Sequence, residues 1–225
     1  MGRQIHAEWR SRYYLKRANL FLLVAITMGL IGIYVHFVLI MAALVPAIVS
    51  AECFKRYNIW SLGAEGEKIV ALQLKDLPND YHVIHDLNLE GSKGNVDHMV
   101  IGENGVFLVE TKNHRGRIIC ENDSWKQEKT GRKGTIYEGV LRNPTSQAKR
   151  NAYLINQFVS QNLGKYVWIN PIIVFTNKDA ELYIQNSSVP VLRPKNLCEF
   201  IKNFQPRMRF TKEETGELNK LLSSP

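Results

Sequence analysis

The run NVDHMVIGENGVFLVETK, Asn95 to Lys112, sets Asp97, Glu110 and Lys112 into two apolar stretches that otherwise read as buried strands. A buried charge is costly unless it is paired or holds a metal. The segment Gly102 to Gly105, GENG, joins the two stretches as a β-hairpin turn. With that turn Ile101 faces Val106 and Asp97 faces Glu110. A tighter turn at Asn104–Gly105 puts Asp97 opposite Lys112 instead. Both registers keep all three charged groups on one face, because strand side chains alternate with period two. Directly opposed carboxylates, with Cβ atoms about 4.5–5.5 Å apart, need a cation or a shared proton.

A few carboxylate oxygens, with positions left for water and phosphate, suit Mg²⁺ or Mn²⁺. The set fits metal-assisted phosphodiester hydrolysis. The ion would activate water and neutralise phosphate charge, and Lys112 would stabilise charge or orient the nucleophile. The bland alternative is an ion network at a strand end.

Other elements must bring this hairpin its partners. A helix opening at Ser61 and ending before Pro78 carries Val70, Leu74 and Leu77 as an apolar stripe. Glu67 lies on that stripe, which makes it a second buried carboxylate or a helix-end residue paired with a nearby base. Tyr81–Leu89 reads as a strand. RGRIIC and KGTIYE read as short strands in a basic, turn-rich excursion. A helix begins after Pro144, WINPIIVFTN and VPVLRP read as strands, and KNLCEFIKNF reads as a helix. Thr211 and Glu214 stand at capping-box spacing before a last short helix. The order implies an α/β fold, a mixed sheet with helices on its faces.

The net charge of +8 is concentrated. Residues 1–60 and residues 113–150 each carry a net +5, and the remainder is slightly acidic. Such zones are either solvated faces or neighbours of phosphate and anionic lipid. In the second zone Arg115, Arg117, Lys126, Lys129, Arg132 and Lys133 are candidates for contacting a nucleic-acid backbone. Trp125 and Tyr137 either stack on an unpaired base or anchor the excursion to the core. The three cysteines, Cys53, Cys120 and Cys198, are odd in number and widely spaced. That pattern argues against a disulfide framework or a zinc site and fits a reducing compartment.

From Ala18 to Ala51 the chain has 34 residues without Asp, Glu, Lys or Arg. This is far longer than the apolar region of a signal peptide, about 7–15 residues. One straight helix of that length would reach about 50 Å at ~1.5 Å per residue, against a hydrocarbon core of ~30 Å. Two short spans breaking near Gly32–His36 fit better. They keep Arg10, Arg12, Lys16 and Arg17 on the same side as Lys55 and Arg56, as the positive-inside rule prefers. The expected organisation is a basic segment over 1–17, a transmembrane segment over 18–52, a soluble domain over 61–205 and a C-terminal helix within 206–225.

GAEGEKIVALQL, NVDHMVIGENGVFLVETKNHRGRI and NPTSQAKRNAYLI together resemble the nuclease-related domain (NERD) family of the PD-(D/E)XK nuclease superfamily, over residues 61–177. The resemblance implies a restriction-endonuclease-like α/β core. It implies that Asp97, Glu110 and Lys112 are the D…ExK signature, that Glu67 is the acidic residue of the first helix, and that Gln147 is the polar residue of the helix after the core sheet. Helical counting places Gln147 on the face shared with Leu154 and Phe158.

The resulting expectation is a Mg²⁺- or Mn²⁺-dependent nuclease, catalytic through Asp97, Glu110, Lys112, Glu67 and Gln147, with Asp97, Glu110 and Glu67 as metal ligands. Its substrate would be DNA, with RNA as the other option. It would sit at a bacterial inner membrane with the soluble domain facing the cytoplasm. The alternatives are a nucleic-acid-binding module that does not cut, and a membrane scaffold for a protein partner.

Overall fold

The computed structural model describes residues 5–35, 37–88, 95–131 and 133–223. The chain divides into two units, Met1–Glu65 and Gly66–Pro225. Helix α1 (Ile5–Val35) and the first part of α2 (Phe37–Leu74) make up the first unit. Within it Ser50 Oγ donates to the Ala18 carbonyl at 2.8 Å, and the Arg10 guanidinium lies 4.7 Å from the Trp60 ring centre. The buried residues Ala18, Ala25, Ala43 and Ser50 are small, which lets helix backbones approach closely.

Among the described residues one helical stretch, Arg10–Ile33, is long and apolar enough to cross a membrane. A pair of spans is not shown, and His36, in the expected break, lies outside the described residues. No new helix starts at Ser61. Helix α2 runs through that position, with Pro46, Gly63 and Gly66 inside it.

The second unit is built on a five-stranded mixed sheet. Its strands are β1 (His82–Leu87), β2 (Val96–Gly102), β3 (Gly105–Lys112), β7 (Ile169–Phe175) and β9 (Val191–Leu192), in the order β1-β2-β3-β7-β9. A four-stranded sheet follows the order β6-β5-β4-β8, from β4 (Gly116–Glu121), β5 (Ser124–Thr130), β6 (Ile136–Glu138) and β8 (Ala180–Gln185). Strands β3 and β7 are parallel, and so are their continuations β4 and β8.

The second sheet was only half expected. Strand β5, SWKQEKT, is too polar to read as a buried strand, yet it alternates: Trp125 and Gln127 are buried and Lys126 is exposed. Trp125 settles the choice left open for it. Its ring stacks on Phe175 at 5.8 Å, and its Nε1 donates to the buried Thr145 hydroxyl at 2.9 Å. It is a core anchor, joining the two sheets.

Two apolar cores lie on opposite faces of the five-stranded sheet. Met99, Ile101, Val106, Leu108 and Ile173 face α3 (Pro144–Leu163), through Ala148, Ala152, Ile155 and Val159, and α5 (Lys212–Ser223), through Leu218 and Leu222. Val100, Phe107, Val109, Ile172 and Val174 face Val70 and Leu74 of α2 and Leu197 and Ile201 of α4 (Pro194–Lys202). Helix α3 starts where Asn143 accepts a hydrogen bond from the Ser146 N–H and Pro144 opens the first turn, and it stops at the left-handed Gly164. Thr211 and Glu214 form the expected reciprocal cap on α5.

Candidate active site

The hairpin register pairs Gly102 with Gly105 and His98 with Val109, which is the wider of the two expected turns. Asp97 therefore comes next to face Glu110, and there the backbone ladder ends. The Asp97 carboxylate instead accepts the Thr111 N–H at 2.6 Å. Odd-numbered Asp97 shares the α3 face with Met99 and Ile101, and even-numbered Glu110 and Lys112 share it with Val106 and Leu108. Glu110 is 1% exposed.

Lys112 Nζ donates to Glu110 Oε1 at 2.6 Å and to Gln147 Oε1 at 3.1 Å. One ammonium thus joins the end of β3 to the first turns of α3. Gln147 is half-buried and inward, as helical counting expects. The other Glu110 oxygen, Oε2, is buried and has no hydrogen-bond partner among the described residues.

Glu67 reaches the site from the opposite face of the sheet. Its helix comes in close because residue 66 is glycine. A Cβ there would lie 2.9 Å from both Asn113 Cβ and Thr176 Oγ1. Burial, then the neighbouring Asp86 and Glu110, push the Glu67 carboxyl up to about 7. Burial and the charges of Glu110 and Glu67 raise Asp97 well above the ordinary range. Glu110 is raised by burial against the pull of Lys112 and Arg150. Three carboxyls each disfavoured as anions mark a place short of positive charge.

This donor set fits a hard divalent cation: oxygen atoms only, mutual repulsion, and one buried carboxylate oxygen without a partner. Among the described residues, however, no three His, Cys, Asp or Glu side chains come close enough together to hold an ion by themselves. Asp97 and Glu110 are the pair that the hairpin register opposes. Glu67 adds its charge to theirs without closing a three-residue cage.

Three groups escaped sequence reading. Asp86 occupies the β1 position opposite Asp97, between the pairs His85–His98 and Leu87–Val96, and drops out of the ladder with a left-handed backbone, φ 56°. Its carboxylate accepts from Asn95 Nδ2, two residues before Asp97. Only the β1–β2 register could have revealed it. Arg150, one helical turn beyond Gln147 on α3, lowers the Glu110 carboxyl, a spacing the sequence does contain. On the other face His85 and His98 meet Nδ1 to Nδ1 at 2.8 Å, so one ring donates to the other. Burial first, and His85 second, hold His98 down to about 3, so the rings are uncharged at neutral pH.

The basic candidates are scattered. Arg115 is exposed just past β3, and Lys133 is exposed in the β5–β6 turn. Lys129 is half-buried and near enough to His114 to oppose its protonation. Arg117 and Lys126 lie on the face of the second sheet away from Trp125. There Arg117 pairs with Glu128 at 3.0 Å and stacks 4.9 Å from the Tyr183 ring centre. Arg132 lies outside the described residues. Tyr137 stays 49% exposed.

The family model for the nuclease-related domain matches residues 62–176, from the end of α2 through β7. An uncharacterised protein of Bacillus anthracis is 31% identical over 131 residues, covering 56% of this chain and 58% of that protein. The chain thus matches a little over half the length of that curated relative. No solved structure matches. The matched span contains the two-strand hairpin with its opposed acids, the lysine at its end and the helix that meets it, and the chain belongs to the nuclease-related domain family, within the PD-(D/E)XK-like nuclease superfamily.

Proposed function

We propose that this protein is a membrane-anchored nuclease that hydrolyses phosphodiester bonds, DNA first and RNA as the alternative, with Mg²⁺ or Mn²⁺. One observation carries the reading. Asp97 and Glu110 are held at opposed hairpin positions with a buried, unpartnered Glu110 oxygen, while Lys112 is strung between Glu110 and Gln147. That free oxygen supports a cation-binding role beside the Lys112 ion pair.

Asp97, Glu110 and, less directly, Glu67 would hold the ion. When bound it would lower the pKa of its water and offset phosphate charge. The remaining work falls to the chain. The Thr111 N–H fixes the Asp97 carboxylate in its rotamer. Lys112, steered by Gln147, holds its ammonium beside the acids, where it can stabilise negative charge on a phosphate oxygen or orient the attacking water. Arg150 adds positive potential from the same side.

The anchor reading is supported by the Arg10–Ile33 stretch and by the contacts that bring Ala18 beside Ser50 and Arg10 beside Trp60. Those contacts favour two spans that return to the same side. The basic residues at both outer ends favour a cytoplasmic soluble domain.

The test is cleavage of single- and double-stranded DNA and RNA by the detergent-purified protein with Mg²⁺, Mn²⁺ or chelator. Asp97→Ala and Lys112→Ala serve as controls. Metal-dependent cutting by the wild type alone supports the proposal, and equal cutting by all three proteins marks a contaminant. The absence of a three-residue cage among the described residues favours a second reading, a module that binds without cutting. Salt-sensitive binding with no cleavage under any metal would select it.

A further inference from the structure

A second concave site lies away from the acidic cluster, between α3, the start of β7 and the segment after β8. It is a cleft of about 470 Å³. That is within the usual range for small-molecule sites, about 300–1,000 Å³. Its floor is apolar, including Val167, Ile169 and Val189, each nearly inaccessible. Its walls leave three aromatic rings unusually open: Tyr153 is 60%, Tyr166 58% and Trp168 37% exposed. Aromatic residues of a folded domain are normally far more buried than this.

One cation lines the cleft, and a second covers one of its rings. Lys149 lines the cleft; its exposed ammonium pairs at 3.3 Å with the half-buried Asp123, which Ser188 of the cleft also holds. The Arg207 guanidinium lies 4.6 Å from the Trp168 ring centre. Open rings beside a cation match a ligand with a flat π-face and an attached anion. We infer that this cleft binds a nucleoside phosphate, stacking its base on Tyr153 or Tyr166 with its phosphate toward Lys149.

Two sources share that chemistry: a free nucleotide, and an unpaired nucleotide of a strand engaged at the acidic cluster. The second source rests on the nuclease reading above. Helix α3 carries residues of both sites on different faces. Gln147 contacts Lys112, while Tyr153 and Asn156 follow six and nine residues later, about 9 and 14 Å along the helix and roughly 120° and 180° around it. An unpaired tail engaging both must pass round α3. A membrane surface would also attract tyrosine, tryptophan and basic residues, but it is met by protruding rings, and these line a hollow.

The experiment uses full-length protein in detergent and three variants: Tyr153→Ala, Tyr153→Phe and Lys149→Glu. Binding of adenosine 5′-monophosphate is measured by calorimetry. Binding of a DNA duplex with and without a single-stranded tail, in Ca²⁺, is measured by fluorescence anisotropy. Association with phosphatidylglycerol vesicles is measured by flotation. The expected result is that Tyr153→Ala weakens nucleotide or tailed-duplex binding roughly 5- to 150-fold, the scale of one base–aromatic stack. Tyr153→Phe should restore binding, Lys149→Glu should weaken it, and the blunt duplex should be indifferent to residue 153. Loss confined to the tailed duplex identifies the strand as the source, and loss with the monophosphate identifies the free nucleotide.

If neither ligand responds to Tyr153→Ala, or if only vesicle flotation responds, the inference is overturned. The nuclease proposal has its own readout, cleavage lost in Asp97→Ala. Cleavage with no response at Tyr153 sinks the cleft alone, and monophosphate binding without cleavage sinks the nuclease reading alone.

Discussion

Thr111 donates its backbone N–H to Asp97 Oδ2 at 2.6 Å, at the point where the β2–β3 ladder would otherwise continue into the Asp97–Glu110 pair. The Asp97 side chain thus supplies an acceptor to β3 where the backbone ladder has ended. That bond needs an acceptor oxygen and not a negative charge.

Asp97→Asn therefore keeps the acceptor while removing one of three mutually repelling acids. We expect metal-dependent cleavage to fall about 10²- to 10³-fold, the scale for one electrostatic group at a reacting centre. Thermal stability without metal should rise. A thermal scan beside a cleavage assay checks both signs, and a fall in both would mark Asp97 as merely structural.

Gly66 sets how near α2 comes to the ends of β3 and β7. Gly66→Ala forces a methyl against Asn113 and Thr176, which should cost about 1–3 kcal/mol. It should also weaken metal binding by displacing Glu67. Gly216, inside α5, has open space where a Cβ would go, so Gly216→Ala should stabilise by about 0.5–1 kcal/mol. Chemical denaturation of the two variants would measure the contrast.

Glu67 titrates at about 7 when folded, against an ordinary value of 4.5. Between those values the folded chain binds more protons than the unfolded one, so metal-free stability falls as pH rises from about 4.5 to about 7. A cation should take the proton's place. The rise in melting temperature produced by Mg²⁺ should therefore be larger at pH 8 than at pH 5.5, and Glu67→Gln should flatten the difference.

Trp125→Phe leaves the buried Thr145 hydroxyl without its donor while keeping an aromatic ring against Phe175. The expected cost is about 1–3 kcal/mol of stability. Nucleic-acid affinity of the folded variant should not change, as an anisotropy titration would show.

Removing residues 1–56 should shift the protein from the membrane to the soluble fraction. A reporter enzyme fused after Pro225 should be active only on the cytoplasmic side. Activity of a periplasmic reporter at that position would refute the two-span orientation.

The hairpin was legible because two apolar runs flank the Gly102–Gly105 turn and strand side chains alternate between faces, so any charge within them had to declare a face. The Gly102–Gly105 turn then selected one register of two. Strand β5 was not legible, since only Trp125 and Gln127 of its residues turn inward, and one of them is polar. Strand β8, AELYIQ, was hidden likewise, with alternate residues exposed. Asp86 could not be found because its meaning lies in a cross-strand position and a left-handed backbone. Neither is written in its neighbours. Trp125 offered two plausible roles, and only the position of Phe175 decided between them.

The acids arrive from both sides of one sheet: Asp97 and Glu110 from the layer beneath α3, Glu67 from the helix across it. A chain that has docked only one helical layer lacks part of this constellation. Any chemistry that needs all three acids therefore waits until both helical layers have docked.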